Sequence, residues 1–231
     1  MHYGFKSILA LSGVMLVAAS AAQAQQAIRI GTSSVGSSFY RLAVGAGEVV
    51  NKKGGINTTV EAVGGSAATV RGVSAGKIEF GLANAFAAVT GYRGTYSFKK
   101  SGRKANVRLT LQGGANHRAI IVRKGARIKT VKDMVGKTVI GMRRPLPELK
   151  LITAALFKVH GIDPKSVKVV GTTNTGQVLK ALAVGSVDAA VAPMGIGAAN
   201  IQKPKRDGVL DFLFLSVAKR DEMLKHLPPL I

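Results

Sequence analysis

The sequence predicts an α/β fold with two lobes of similar construction. Strand-like and helix-like segments alternate over residues 28–83 and again over residues 119–192. An order of β-α-β-α-β indicates a mainly parallel sheet that is covered by helices. Residues 73–83 and 182–192 also share one form, in which an apolar helix end and a glycine lead into a short acid-containing strand. Any helix-glycine-strand unit has this form, but its recurrence suggests two similar lobes.

The first 24 residues have the three parts of a secretory signal. Lys6 precedes an apolar stretch from Ile8 to Ala22, and the small-x-small cleavage site ends at Ala24. We therefore expect cleavage after Ala24 and export to the periplasm as a soluble protein. No later stretch approaches the ~20 apolar residues that a membrane-spanning helix needs.

The composition excludes several classes of function. The chain contains no cysteine, and its four histidines have no spacing typical of metal ligands, so we expect neither disulfides nor a metal site. The net charge of +22 favours polyanions, anionic membrane surfaces or acidic small molecules as partners. Aromatic residues are sparse and basic runs are short, so we expect no nucleic acid partner. We also expect no cofactor.

A loop rich in glycine and hydroxyl groups, residues 31–40 (GTSSVGSSFY), follows the first predicted strand. Apolar residues then recur every three or four positions from Ser37 to Lys53, which predicts a helix that ends at Gly54-Gly55. Glycines let a ligand approach the backbone, and the helix N-terminus favours an anion. The loop is therefore suited to a carboxylate or a similar oxyanion, although Ser37 alone is equally explained as a helix N-cap.

The same loop does not match the motifs that bind nucleotides. Gly31 and Gly36 have the spacing of a phosphate-binding loop, but two serines follow where lysine and then serine or threonine are required. Ser33 interrupts the G-x-G-x-x-G pattern of dinucleotide-binding proteins. Nucleotide binding is therefore not expected.

Two more segments are expected at the same edge of the sheet as the loop over residues 31–40. Residues 56–63 predict a second strand, which the turn Gly64-Gly65-Ser66 connects to a short helix. Residues 78–83 predict a third strand, and Asn84 follows it. Because parallel sheets bind ligands outside the carboxyl ends of their strands, these three segments indicate one site.

A second unit follows the first. Two apolar segments, residues 107–112 and 119–124, precede the segment IKTVKDMVGKTVIGM. The predicted elements after it are a helix from Leu149 to Val159, a strand over residues 167–171, a helix through Val184 and a strand over residues 187–192.

In their order behind a signal peptide, five segments resemble the solute-binding proteins of TRAP transporters of the TAXI family. They are GTSSVGSSFY, EAVGGSAATV, GKIEFGLANA, IKTVKDMVGKTV and ALAVGSVDAAV. The most specific is the loop, which that family usually writes G-T-G-G-x-G-G-x-Y-Y. Gly31, Thr32, Gly36 and Tyr40 match it, Phe39 replaces a tyrosine, and Ser33, Ser34 and Ser37 replace glycines. We expect specificity to differ from that of relatives at these three serines.

The resemblance implies a two-lobed periplasmic binding protein type II fold, with lobe 1 over residues 25–118 and a hinge strand and lobe 2 over residues 119–231. It implies a receptor without enzymatic activity that binds a small anionic solute, such as a glutamate-like amino acid or a dicarboxylate, in the cleft between the lobes. TRAP membrane subunits would receive the solute. Relatives continue for several dozen residues that return to lobe 1, so we expect the first lobe to be incomplete. Either the sequence is truncated at its C-terminus, or a partner completes the lobe.

Both lobes are expected to contact the solute. The lobe 1 residues are Thr32, Ser33, Ser37, Ser38, Tyr40, Gly64, Gly65, Ser66 and Asn84, and the lobe 2 residues are Arg143, Arg144, Thr173, Asn174 and Thr175. Residues 141–147 (GMRRPLP) depart from the small Gly/Ser-rich turn of the family. The two arginines there either offer a guanidinium to a carboxylate or are solvated on a proline-rigidified loop.

Three other functions remain open. A binding protein of an ABC importer has the same fold. An exported hydrolase is disfavoured, because the chain has no G-x-S-x-G motif and no evident Ser/His/Asp set. A basic adhesive protein would bind anionic surfaces in a salt-sensitive way and would have no small-molecule ligand.

Overall fold

The computed structural model describes residues 27–114, 117–194, 197 and 199–228, which form two α/β lobes on separate sheets. The predicted signal peptide and its cleavage site lie outside these residues. We use lobe 1 for the first sheet with its helices and lobe 2 for the second. None of the helices in the described ranges has the length and apolar content needed to cross a membrane.

Lobe 1 contains a parallel sheet of three strands in the order β2-β1-β3. Its elements are β1 (Ile28–Thr32), α1 (Ser38–Gly54), β2 (Thr58–Ala62), α2 (Ser66–Ser74), β3 (Phe80–Gly81) and α3 (Ala85–Arg93). This order confirms the predicted β-α-β-α-β unit. Because each helix carries the chain back across the sheet, the loops that follow β1, β2 and β3 lie at one edge.

One expectation for lobe 1 needs correction. The strand expected over residues 78–83 contains only Phe80 and Gly81, because the described residues pair it with β1 alone and provide no neighbour on its other side. The apolar segment over residues 107–112 forms no regular element. Its side chains Leu109 and Leu111 are 79% and 85% exposed.

Lobe 2 contains a mixed sheet of five strands in the order β6-β5-β7-β4-β8. The strands are β4 (Ala119–Arg123), β5 (Thr138–Arg143), β6 (Lys168–Thr172), β7 (Ala189–Ala192) and β8 (Leu210–Leu213). The helices are α4 (Glu148–Val159), α5 (Thr175–Ala183), α6 (Ala199–Arg206) and α7 (Val217–Leu224). β4 is antiparallel to both of its neighbours, whereas β5 is parallel to β6 and β7.

The two lobes differ in the size of their cores. In lobe 2, one apolar cluster includes Leu156 and Phe157 of α4, and a second includes Leu182 of α5. Alternate residues of β4 join different clusters, as expected for a strand that is covered on both faces. The cluster described in lobe 1 is small and consists of Ala67, Val70, Ala87 and Phe98.

Candidate functional site

The candidate site lies where the loops after the strands of lobe 1 meet those of lobe 2. Among the described residues, contacts that cross this boundary include Ser34 with Arg143, Asn84 with Glu148, and Gly65 with Pro145. Each joins a loop or helix start in lobe 1 to the segment between β5 and the first turn of α4. The predicted site at the carboxyl ends of the strands therefore coincides with the contact between the lobes.

Arg143, the last residue of β5, is only 3% exposed and reaches across the boundary. Its Nε donates to the Thr173 carbonyl oxygen at 3.1 Å, and its Nη1 donates to Thr175 Oγ1 at 3.0 Å. Its Nη2 donates to Ser34 Oγ of lobe 1 at 3.1 Å. All three acceptors are uncharged, so the guanidinium is hydrogen-bonded without a balancing negative charge in direct contact.

Two local features hold Arg143 in this place. The pairing register of β5 with β6 shifts between Ile140 and Met142, and such irregularities redirect nearby side chains. A tight turn follows, in which the Leu146 amide donates to the Arg143 carbonyl oxygen at 2.9 Å. Burial lowers the pKa of Arg143, and the charge of Glu148 acts in the opposite direction. An arginine remains protonated under such conditions, so the site contains a buried cation.

The sequence offered Arg143 and Arg144 as alternatives, and the structure separates them. Arg143 lies at the lobe boundary, whereas the side chain of Arg144 is exposed to solvent. Of these two arginines, Arg143 is therefore the one that lies at the contact between the lobes.

The loop after β1 contributes several buried polar groups. Thr32 is fully buried, and its Oγ1 has no hydrogen-bond partner among the described residues. Ser33 is 6% exposed. Ser37 acts as the N-cap of α1, because its Oγ accepts a hydrogen bond from the Tyr40 amide at 3.2 Å. The N-cap interpretation of Ser37 is therefore correct, and its hydroxyl is already engaged.

The turn after β2 lets the lobes approach closely. A Cβ atom at Gly65 would lie 2.6 Å from Pro145 Cβ and 2.9 Å from the Pro145 carbonyl oxygen. Only glycine fits at this contact. The neighbouring Ser66 is buried, and its Oγ accepts a hydrogen bond from the Asn84 amide at 3.1 Å, which ties the turn after β2 to the residue that follows β3.

Asn84 and Glu148 connect the lobes through a buried polar cluster. Asn84 caps α3 by accepting from the Ala87 amide at 2.8 Å, and its Nδ2 donates to Glu148 Oε1 at 2.6 Å. The same oxygen accepts from Arg118 Nη2 at 2.9 Å. Burial lowers the pKa of Arg118, and the Glu148 charge opposes this change. The ion pair is buried, because the side chain of Glu148 is 1% exposed and that of Arg118 is 15% exposed.

Glu148 and Arg118 were not among the predicted site residues. An acid in the first turn of a helix is common because it interacts favourably with the helix dipole, so Glu148 carries no distinguishing signal in the sequence. The nearest available signal is its place five residues after Arg143, directly after the turn that contains Pro145 and Pro147.

A pocket lies between the lobes at the start of α1, and its empty space of about 250 Å³ includes open solvent. Lobe 1 lines it with Gly36, Ser37, Ser38 and Arg41, and lobe 2 lines it with Thr175, Pro193, Met194, Asn200 and Ile201. The predicted residues Ser37, Ser38 and Thr175 therefore share one pocket. The described ranges contain no group of three or more His, Asp or Glu side chains arranged to hold a metal ion.

Four further predicted residues do not line this pocket. Tyr40 is half-buried on α1, and Gly64 precedes the Gly65 contact with a φ of 100°. Thr173 contributes its carbonyl oxygen to Arg143 and its hydroxyl to Gln177. Asn174 caps α5 by accepting from the Gln177 amide at 3.0 Å. These residues support the boundary segments rather than line the pocket.

Comparisons with known proteins agree with this architecture. Residues 30–230 match the model of the NMT1-like family. The structure is similar to the alkanesulfonate-binding protein SsuA from Xanthomonas axonopodis pv. citri bound to MOPS, with 17% identity, a TM-score of 0.53, and coverage of 81% of this chain and 60% of that one. It is also similar to the binding protein of an ABC phosphonate transporter from Pseudomonas aeruginosa, with 16% identity, a TM-score of 0.58, and coverage of 87% of this chain and 73% of that one.

An ancestral arginine-binding protein bound to arginine is also similar, with 20% identity, a TM-score of 0.54, and coverage of 87% of this chain and 90% of that one. Identities this low establish the fold, which is the two-lobed type II fold of periplasmic solute-binding proteins and confirms the predicted fold class. The chain spans about 60% of the length of the sulfonate-binding proteins that it matches.

Proposed function

The chain belongs to the NMT1-like family, and from this premise we propose that it is a periplasmic receptor that binds a small anionic solute between its lobes. It delivers the solute to a membrane transporter and catalyses no reaction. We place the lobe boundary at residues 118 and 119, so that Arg118 lies beside the connection between the lobes.

The observation that carries this proposal is the environment of Arg143. Buried charges in proteins are normally paired with an opposite charge, yet the acceptors that the described residues offer this guanidinium are all uncharged. A carboxylate, sulfonate or phosphonate would supply the missing negative charge and would accept two hydrogen bonds in the geometry that arginine prefers. The solute would replace or supplement the contact with Ser34.

Further polar groups at the boundary favour the same ligand. The hydroxyl group of Thr32 is buried without a partner among the described residues, and Ser38 lines the pocket at the start of α1. The N-terminus of that helix favours a negative charge. Because both lobes contribute contacts, the ligand binds the closed arrangement better than an open one and therefore drives closure.

We propose an ABC importer as the transporter partner. The similar phosphonate-binding protein from Pseudomonas aeruginosa is described as a component of an ABC transporter, which supports this choice. A TAXI-type TRAP transporter is the second candidate, because the loop GTSSVGSSFY resembles that family. Neighbouring genes distinguish the two: an ATP-binding subunit supports the ABC importer, and a large TRAP membrane subunit supports the alternative.

Isothermal titration calorimetry tests the ligand class. The panel contains glutamate, glutamine, 2-oxoglutarate, dicarboxylates, an alkanesulfonate and an alkylphosphonate. We expect at least one anion to bind, and Arg143→Gln to weaken that binding by about 100-fold because charged hydrogen bonds are lost. Arg144→Gln is the matched control and should bind like the wild type. The proposal fails if no anion binds, or if Arg143→Gln binds as tightly as the control.

A further inference from the structure

The two carboxylate oxygens of Glu148 have different environments. Oε1 accepts hydrogen bonds from Asn84 Nδ2 at 2.6 Å and Arg118 Nη2 at 2.9 Å. Oε2 is buried and accepts no hydrogen bond from the described residues. A buried carboxylate oxygen without a donor is destabilising, so such oxygens are usually hydrogen-bonded. Oε2 is therefore a strong acceptor that the described residues do not satisfy.

This acceptor lies at the lobe boundary rather than inside one core. Asn84 reaches Glu148 from lobe 1, while Glu148 begins α4 in lobe 2. Arg143 and Glu148 flank a turn of four residues, and Pro145 in that turn touches Gly65 of lobe 1. The turn thus places a buried guanidinium at one end and a buried carboxylate at the other, both at the contact between the lobes.

The charges at the boundary define what a ligand must carry. Arg118 pairs with Glu148, which leaves Arg143 without an ion-pair partner among the described residues. A ligand with an acid group satisfies Arg143, and a ligand with an amino group also satisfies Glu148 Oε2. A dicarboxylate satisfies Arg143 but leaves Glu148 Oε2 without a donor. Its second carboxylate also repels the carboxylate of Glu148.

We infer that Glu148 selects solutes that carry an amino group as well as an acid group. The solute class is then an amino acid, an aminosulfonate or an aminophosphonate, with the acid group on Arg143 and the ammonium group on Glu148 Oε2. This inference rests on the proposed function, because it assigns the second half of the same site.

Matched ligand pairs that differ only in the amino group test this assignment on the wild-type protein. The pairs are glutamate with glutarate, 2-aminoethanesulfonate with ethanesulfonate, and 2-aminoethylphosphonate with ethylphosphonate, each titrated by calorimetry. In the pair that fits, we expect the amine to bind at least about tenfold more tightly, as expected for a charged hydrogen bond.

The outcomes separate the two proposals. If anions bind and the deaminated member of every pair binds as tightly as the amine, the role of Glu148 is wrong and the proposed function stands. If only anions outside the pairs bind, such as 2-oxoglutarate, the role of Glu148 is wrong and the proposed function stands; if no anion binds at all, both proposals are wrong.

Glu148→Gln tests the residue itself, with the exposed Glu48→Gln as the matched control. We expect Glu148→Gln to remove the preference for the amine, whereas a purely structural defect would weaken both members of a pair alike and leave the preference in place. An unchanged preference would overturn the inference. If Glu148→Gln does not fold, the wild-type ligand pairs still decide the question.

Discussion

Each of the two sheets contains three parallel strands in the same order. In both β2-β1-β3 and β6-β5-β7, the strand that comes first in the chain lies between the next two. Lobe 2 then continues with antiparallel β4 and with β8 beyond it, whereas the described part of lobe 1 ends at the two-residue β3. The segment over residues 107–112 also has alternating apolar residues, yet it forms no strand.

This difference shows that a strand-like sequence becomes a strand only when a neighbouring strand pairs with it. β8 pairs with β4 over Leu210–Leu213, and its apolar residues are partly or fully buried. Leu109 and Leu111 have a similar alternation but no partner among the described residues, and both are exposed. Strand propensity thus depends on the tertiary surroundings.

The largest expected effect compares the cores of the two lobes. Phe157→Ala removes a side chain that is 1% exposed in the larger apolar cluster of lobe 2, and we expect it to lower the free energy of unfolding by about 3–5 kcal/mol. Phe98→Ala in lobe 1 should cost less, because its small cluster collapses or admits water more easily. Urea unfolding followed by circular dichroism measures both. An equal or larger loss for Phe98→Ala would contradict the difference between the cores.

A smaller effect is expected where the lobes touch. Gly65→Ala places a Cβ against Pro145, which must move, and overpacking of this kind typically costs about 1–3 kcal/mol. We expect a larger radius of gyration by small-angle X-ray scattering and weaker ligand binding. Gly64→Ala is the matched control, because Gly64 also has a positive φ but a Cβ there would meet no atom within 4 Å. Equal effects for the two variants would attribute the change to backbone strain instead of lobe contact.

The smallest effect concerns a surface ion pair of lobe 1. Hydrogen bonds from the Arg29 guanidinium and the Arg29 amide lower the pKa of Glu79 to about 2 from 4.5. A carboxyl group with a lowered pKa stabilises the folded state above its unfolded pKa and loses this contribution as the pH falls through its folded pKa. Glu79→Gln should therefore lower the melting temperature slightly at pH 7, and the difference should shrink between pH 4.5 and about pH 2.

Glu48→Gln provides the surface control for this measurement. Thermal unfolding of Glu79→Gln, Glu48→Gln and the wild type over the same pH range gives the comparison. A loss of stability in Glu79→Gln that stays constant down to pH 2 would rule out ionisation of the carboxylate as the cause.

Much of the fold was predictable because it depends on local patterns. The helix that begins after Ser37 and ends near Gly55 follows from apolar spacing, an N-cap and a C-terminal glycine, and the structure has all three. The meeting of the loop after β1, the turn before α2 and Asn84 also follows from the order of the elements. These features need no knowledge of distant contacts.

The remaining features depend on which residues meet across the lobes. Sequence spacing treats Arg143 and Arg144 alike, and only the end of β5 and the contact with Ser34 distinguish them. Glu148 looks like an ordinary acid at the start of a helix, and its role appears only when Asn84 and Arg118 are placed beside it. The short β3 likewise reflects pairing along one side only.

The three contacts between the lobes have a mechanical consequence. All elements of lobe 1 precede those of lobe 2, so the described chain passes between them once. Three separate contacts fix the orientation of one lobe on the other, as three points define a plane. They are Ser34 with Arg143, Gly65 with Pro145, and Asn84 with Glu148. Altering one of them would tilt the docked lobe and change the shape of the enclosed space.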